Sequence, residues 1–302
     1  MTPSPDQNTA QDLYAWDIAA WGGPPSLDHA SRTREDARLI ERAWREPGAR
    51  IICLDAAGRF NDDPLGRVIT AADGDRPGAE DVFLGRFEGH PWFTRRDAGP
   101  HKTVLRSARL TPGEREVAST AQAILNWARS ARRCVGCGGE LVRTRGGFSA
   151  ECSRCGRETF PRTDPAVICA VLDHDDRLFL AHQGAWERGR VSVLAGFVEA
   201  GETAEQAVHR ETAEEANLRI TALRYLGSQP WPMPRSLMLS FVARSDSSGQ
   251  VDGRELSWGG WYSRSDVNRL AEGGALVLPP GASVGHHVIR AWLDGSLPTP
   301  EG

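Results

Sequence analysis

Glu211, Glu214 and Glu215 stand at i, i+3 and i+4 in the stretch "HRETAEEANL". On a helix their carboxylates share one face within a single turn. Like charges so placed repel, and a helix built only for stability would avoid three of them. A hard divalent cation relieves that repulsion, and Mg2+ held by carboxylates commonly serves phosphate chemistry. Arg210 can steady the cluster through charge-assisted bonds. Taken alone, E-x-x-E-E is more often a solvated acidic face, so the surrounding residues must decide. A second set of ligand types is Cys134, Cys137, Cys152 and Cys155, two C-x2-C pairs with 14 residues between them. Gly138 and Gly156 follow the pairs and permit the backbone turn that points two thiolates at one ion. Four sulfurs converging tetrahedrally suit Zn2+ in a closed structural site, with no open position for chemistry. Two disulfides or free thiols are the alternative, which an unsecreted chain disfavours.

These residues need elements to hold them. Thr203 predicts the cap of a helix over about 204–216, with Gln206 completing a capping box and Ala207, Val208 and Thr212 facing inward. Strands are expected at 166–173, 177–183 and 191–196 before it, and at 222–228, 236–244 and 258–263 after it, with a last helix near 284–293. Upstream, Thr111, Pro112 and Glu114 open another helix, whose apolar face is Val117, Ala121, Ile124, Leu125 and Ala128. Residues 13–110 alternate short apolar runs with Gly, Pro and Asp turns, a mixed, strand-rich pattern in which Cys53 reads as core. The chain is α+β, divided into an N-terminal mixed domain (1–129), a zinc ribbon (130–160) and a third domain (161–302). It has no internal repeat and no low-complexity segment.

Length and composition agree with that division. The 302 residues suit about two domains at roughly 150 residues each. A net charge of −4 excludes a chain that is basic all over, as a nucleic-acid glove would be. Locally, residues 129–163 carry eight Arg and three Glu. That excess fits a nucleic-acid-binding ribbon, although a ribbon that only staples domains is the better reading. The N-terminus lacks the basic and apolar regions of a secretory signal, its first dozen residues are polar and expected to be mobile, and no apolar run reaches the ~18 residues of a membrane span. The expected compartment is the cytoplasm.

The acidic segment resembles the Nudix box, G-x5-E-x7-R-E-U-x-E-E-x-G-U, where U is bulky and aliphatic. Gly196, Glu202, Arg210, Glu211, Glu214, Glu215 and Leu218 fall in place. Thr212 stands where an aliphatic residue is usual, and Asn217 replaces a glycine, a mild change because Asn tolerates the left-handed conformation at a helix C-terminus. The resemblance implies hydrolysis of a nucleoside diphosphate linked to another moiety. It places the catalytic role on Arg210, Glu211, Glu214 and Glu215, without settling which carboxylate is the base. It also implies Mg2+ or Mn2+ at Glu211 and Glu215, with the Ala195 carbonyl and Glu255 as further ligands.

Ten residues after Leu218 begins "SQPWPMPRS", 228–236. It resembles the SQPWPFPxS segment of the NADH pyrophosphatases, a Nudix family also described as decapping NAD-capped RNA. Met233 replaces the phenylalanine. A four-cysteine ribbon directly before the Nudix domain and "PPGASVG" at 279–285 also fit that family, covering about 130–290 well. The resemblance implies a Nudix α/β/α sandwich, a homodimer, and cleavage of NAD(H) to NMN(H) and AMP, with removal of NAD caps from RNA as a second activity. Hydrolysis of ADP-ribose or another dinucleotide is the rival enzyme reading. A non-catalytic nucleotide sensor is the rival from another class, disfavoured because all three glutamates are intact. Prolines fix φ and make 228–236 a stiff wall, Trp231 offers a flat face, and Gln229 and Ser236 can bond a ligand. Pro230, Pro232, Met233, Pro234, Arg235 and Gly285 complete the expected substrate-binding set, with Phe160 and Phe197 as further stacking candidates and Phe160 able to reach across a dimer. A proline-rich connector around a core tryptophan is the plain alternative.

Overall fold

The computed structural model describes residues 23–301. The readings of the first 22 residues, including the mobile N-terminus and the absence of a signal, lie outside the described residues. Residues 24–163 with Pro232–Arg235 form one compact unit, and Asp164–Trp231 with residues 236–301 form the other. Together they make a mixed α+β chain.

The first unit opens with helices α1 (Ser31–Arg34) and α2 (Ala37–Trp44). Its four-stranded sheet has the order β3-β1-β5-β4, from β1 (Arg50–Leu54), β3 (Arg67–Val68), β4 (Val82–Phe87) and β5 (His90–Arg96). The short strands β2 (Arg59–Phe60) and β6 (Thr103–Val104) pair beside it. Helix α3 (Pro112–Ser130) starts as the sequence predicts, with Thr111, Pro112 and Glu114 forming the N-cap and capping box. Val117, Ala121, Ile124 and Leu125 are buried against Leu54, Phe60 and Leu84, while Ala128 is only partly covered. Cys53 is half-buried against the cluster of Trp44, Ile51, Phe83 and Phe93, and burial, with Asp97 beside it, raises its thiol to about 11, as suits a packing residue. Strands β7 (Leu141–Thr144), β8 (Ser149–Cys152) and β9 (Glu158–Thr159) form a small sheet that ends β8 on Cys152, with Cys134, Cys137 and Cys155 in the turns around it.

The second unit is built on a six-stranded sheet. Strands β10 (Asp164–Leu172), β11 (Leu178–Gln183), β13 (Ile220–Trp231), β14 (Ser236–Ser245) and β15 (Leu256–Tyr262) run in the order β13-β14-β10-β11-β15, and β12 (Leu194–Phe197) also pairs with β10. Strand β10 reads "DPAVICAVL" because both of its faces are covered. One face packs on α4 (Ala204–Ala216) through Val167, Cys169 and Val171, and the other on α6 (Val284–Leu293) through Ile168, Ala170 and Leu172. Helix α5 (Arg264–Glu272) was not expected from the sequence; it buries only Val267, so it has almost no apolar periodicity to read.

The two sheets repeat one arrangement that no sequence repeat announces. In each, a strand is followed at once by an Asp whose carboxylate accepts the N–H two and four residues on and the Nε of that second residue, an arginine: Asp55 with Arg59, and Asp173 with Arg177. In each, that first strand pairs in parallel with the second strand of an antiparallel hairpin: β1 with β5 of β4–β5, and β10 with β14 of β13–β14. Among the described residues, only the second unit inserts a long acidic helix between these strands.

The stretch 228–236 corrects its own reading. Its first four residues are not loop but the end of β13, paired as Ser228 with Leu239, Gln229 with Met238, Pro230 with Leu237 and Trp231 with Ser236. A proline is tolerated there because β13 is an edge strand, so the missing N–H removes no ladder bond that the sheet needs. Only Pro232–Arg235 turn the chain, with a cis bond between Met233 and Pro234.

Candidate active site

Helix α4 forms because its ends and one face are specified. Thr203 Oγ1 accepts from Gln206 N at 3.2 Å, and Gln206 Oε1 accepts from Thr203 N at 2.9 Å. Ala207, Val208, Thr212 and Ala216 are buried. The Thr212 hydroxyl, out of keeping with an apolar position, donates to Val208 O at 2.8 Å, so it costs no unsatisfied polar group. Asn217 ends the helix at φ 50°, ψ 41°, the left-handed geometry expected of a glycine there. The next N–H groups return to the helix, Asn217 N to Ala213 O and Leu218 N to Thr212 O, each at 3.0 Å.

Arg210 lies at the centre of the acidic face. Its Nε and Nη2 bond the two Glu202 oxygens at 2.9 Å each, its Nη1 meets Glu211 Oε1 at 2.9 Å and Glu214 Oε2 at 3.2 Å, and Nη2 donates to Phe197 O at 2.8 Å. One planar guanidinium thus ties three carboxylates to the end of β12. The Glu211 carboxylate rests on Gly196: a Cβ there would stand 1.9 Å from Glu211 Cδ. That close approach is the physical reason for glycine at the head of the box.

Glu215 differs from its neighbours. It is buried to 8% exposure, its Oε2 has no hydrogen-bond partner, and its carboxyl is pushed up to about 8. Burial is the main cause, followed by the charges of Glu211, Glu255, Asp252 and Glu214. Asp252 escaped the sequence reading, and so did the way it is placed: Asp252 N donates to Glu215 O at 3.0 Å, and its carboxylate accepts from Glu255 N and Leu256 N. Glu255 is exposed in that turn, one residue before β15 rather than in the strand. A buried acid without a partner, facing four others, fits a hard cation through its oxygens. The glutamates are not drawn as tightly as a closed cage. Among the described residues, two groups bring three or more ligand atoms within 4.8 Å of one another: the cysteines, and Asp173, His174 and Asp175. The latter is accounted for by the hairpin turn around Asp173.

Cys134, Cys137, Cys152 and Cys155 are all free thiols, with Sγ separations of 3.8 Å for Cys134–Cys155 and 3.5 Å for Cys137–Cys152. Gly138 and Gly156 have φ of 72° and 69°, as the knuckles require. Backbone N–H groups point at the sulfurs, Gly136 N at Cys134 and Cys155 N at Cys152, and lower both thiols. Four free thiols gathered this closely are not a disulfide pair and suit a metal ion, although Cys137, hydrogen-bonded by its neighbouring thiols, is shifted upward.

The expected substrate-facing residues divide. Trp231 is half-buried, Pro230, Pro234 and Arg235 are exposed, and Ser236 is half-buried at the start of β14. Phe197 is 58% exposed at the end of β12 in the second unit, and Phe160 is 49% exposed in the first. Ala195 is exposed on β12, paired with Ile168. Gln229 is corrected: at 1% exposure, its Nε2 donates to Ala282 O at 2.9 Å and its Oε1 accepts from Val284 N at 2.7 Å. Both ends of the amide are spent on holding the 279–285 segment. Gly285 is buried in the first turn of α6, where a Cβ would press on Ser192 Oγ at 3.1 Å, so its role is close packing. Pro232 is buried and Met233 packs against the core of the first unit, so neither presents its side chain freely to a ligand.

Residues 162–279 match the family model of the NUDIX domain. The chain is 38% identical over 291 residues to the NAD-capped RNA hydrolase NudC of Mycobacterium bovis (strain BCG / Pasteur 1173P2), covering 88% of this chain and 92% of that protein. The protein of the same name from Mycobacterium tuberculosis (strain ATCC 25618 / H37Rv) matches to the same extent. That of Shigella flexneri is 36% identical over 226 residues, covering 73% of this chain and 83% of its own length. With the box residues gathered around Arg210 and a relative of this identity spanning nearly the whole chain, the protein belongs to the NudC (NADH pyrophosphatase) family of NUDIX hydrolases.

Proposed function

We propose that the chain hydrolyses the pyrophosphate of NAD(H) to NMN(H) and AMP, and removes NAD caps from RNA by cutting the same bond. The observation that carries the reaction class is Glu215: a buried carboxyl with an unpartnered oxygen, on the same helix turn as Glu211, held among further acids. The substrate class is supported by the relatives, whose shared name is NAD-capped RNA hydrolase. When bound, Mg2+ or Mn2+ at Glu211 and Glu215, with Glu255 and the Ala195 carbonyl as further ligands, supplies neutralisation of the charge that builds on the phosphate oxygens. Arg210 keeps Glu211 and Glu214 oriented, one of the three helix glutamates takes a proton from the attacking water, and burial around Glu215 keeps competing solvent away. Trp231, Pro230, Ser236 and Phe197 form the substrate-facing set. Zinc in the four-thiolate site, the division at 1–129, 130–160 and 161–302, a homodimer and a cytoplasmic location complete the proposal. Among the described residues no helix is long and apolar enough to cross a membrane.

The test is turnover of NADH, NAD-capped RNA and ADP-ribose side by side, with Mg2+ or Mn2+ added. NMN(H) released from the first two supports the reading. Cleavage of ADP-ribose alone would move the chain to the dinucleotide reading, and no cleavage with either ion would leave a nucleotide sensor.

A further inference from the structure

Pro232 and Pro234 have no N–H, so the turn at 232–235 lacks two of the donors with which a hairpin loop satisfies its own carbonyls. The missing donors come from α3, in the unit to which the turn belongs. Asn126 Nδ2 donates to Pro232 O at 3.0 Å and to Pro234 O at 3.1 Å, using both of its hydrogens. Gln122 Nε2 adds a longer bond to Pro232 O at 3.3 Å. Asn126 is itself held: its Oδ1 accepts from Arg96 Nη2 at 2.9 Å, and Arg96 Nη1 bonds Asp55 O. The amide is therefore held at both ends, and Met233 packs against the core of the same unit.

From this we infer that Asn126 is a positioning residue for nucleotide recognition, fixing the turn main chain and through it the placement of the adjoining Trp231. This rests on the reading of 228–236 as the nucleotide-facing segment. The chemistry is specific to an amide. A carboxylate at this position keeps the contact with Arg96 but sets oxygen against two carbonyl oxygens, losing both donations. Nothing on α4 changes, so the effect belongs to substrate binding and not to the chemical step.

The experiment is a double-mutant cycle in the full chain with saturating Mg2+: wild type, Asn126→Asp, Trp231→Ala and the double variant, assayed on NADH with thermal melts alongside. Asn126→Asp is expected to raise KM and lower kcat/KM about tenfold, the scale of two lost hydrogen bonds, with kcat within about twofold of wild type. In the Trp231→Ala background the same change is expected to cost less than about twofold, because both act through one contact. An Asn126→Asp enzyme with wild-type KM, or losses that multiply in the double variant, would overturn the inference. A Trp231→Ala enzyme with unchanged kcat/KM overturns the reading of the segment beneath it instead. If Asn126→Asp melts below the assay temperature, Asn126→Ala closes the same cycle without the repulsion.

Discussion

Each acid of the box has its own surroundings, and their consequences differ. Glu211 and Glu214 share the one guanidinium of Arg210 with Glu202, but Glu215 is buried with its Oε2 unpartnered. Its folded-state pKa is raised from 4.5 to about 8. The unfolded chain releases this proton first as pH rises, so between those values the folded state binds more protons and stability falls with increasing pH. In protein stripped of divalent ions, the Tm is expected to decline from about pH 5 to pH 8. Glu215→Gln, which cannot ionise, should flatten that decline, and Mg2+ should raise the wild-type Tm more at pH 8 than at pH 5. A decline that persists unchanged in Glu215→Gln would place the titrating group elsewhere. Gly196 offers a second test at this scale. A methyl there would stand 1.9 Å from the Glu211 carboxyl carbon, at the end of a flexible side chain that can swing away. Gly196→Ala is thus expected to keep its Tm within a few degrees and lose more than about tenfold in kcat. Full activity in Gly196→Ala would mean that Glu211 need not lie where the structure puts it.

At the level of elements, helix α4 and the cysteine knuckles do different work. The cysteine knuckles bring four sulfurs within 4.8 Å of one another, and four sulfurs on one ion would leave no open position for substrate chemistry. Cys152→Ser should therefore release one equivalent of zinc and lower the Tm, while activity measured well below that Tm stays within a few-fold of wild type. Zinc content by elemental analysis and a melt decide it; zinc retained at full stoichiometry would contradict the ligand set. The elements most legible in the sequence were those with chemical punctuation. The capping boxes at Thr111 and Thr203 and the left-handed Asn217 set helix ends that the structure reproduces. Helix α5 was missed because Val267 alone is buried on it. Gln229 was misassigned because its type suits a ligand as well as it suits a main-chain clamp, and only the fold brings Ala282 and Val284 to its two ends. Asp252 and Asn126 were missed because the contacts that give them their roles are distant in the chain: Glu215 lies 37 residues before Asp252, and Pro232 lies 106 residues after Asn126.

Across the whole molecule, two sheets of similar strand arrangement differ in what they carry. Both keep the Asp–Arg hairpin turn and the parallel pairing beside an antiparallel hairpin. Only the second has the acidic helix among the described residues, so hydrolysis is expected to depend on one carboxylate centre per chain. The most direct measurement is the release of NMNH and AMP from NADH by the full chain and by Glu215→Gln at saturating Mg2+, with matched melts at the assay pH. Equimolar NMNH and AMP are expected from the wild type, and kcat is expected to fall by several orders of magnitude in the variant, which lacks the charge that would hold the metal. Near-normal release of both products by Glu215→Gln would contradict it.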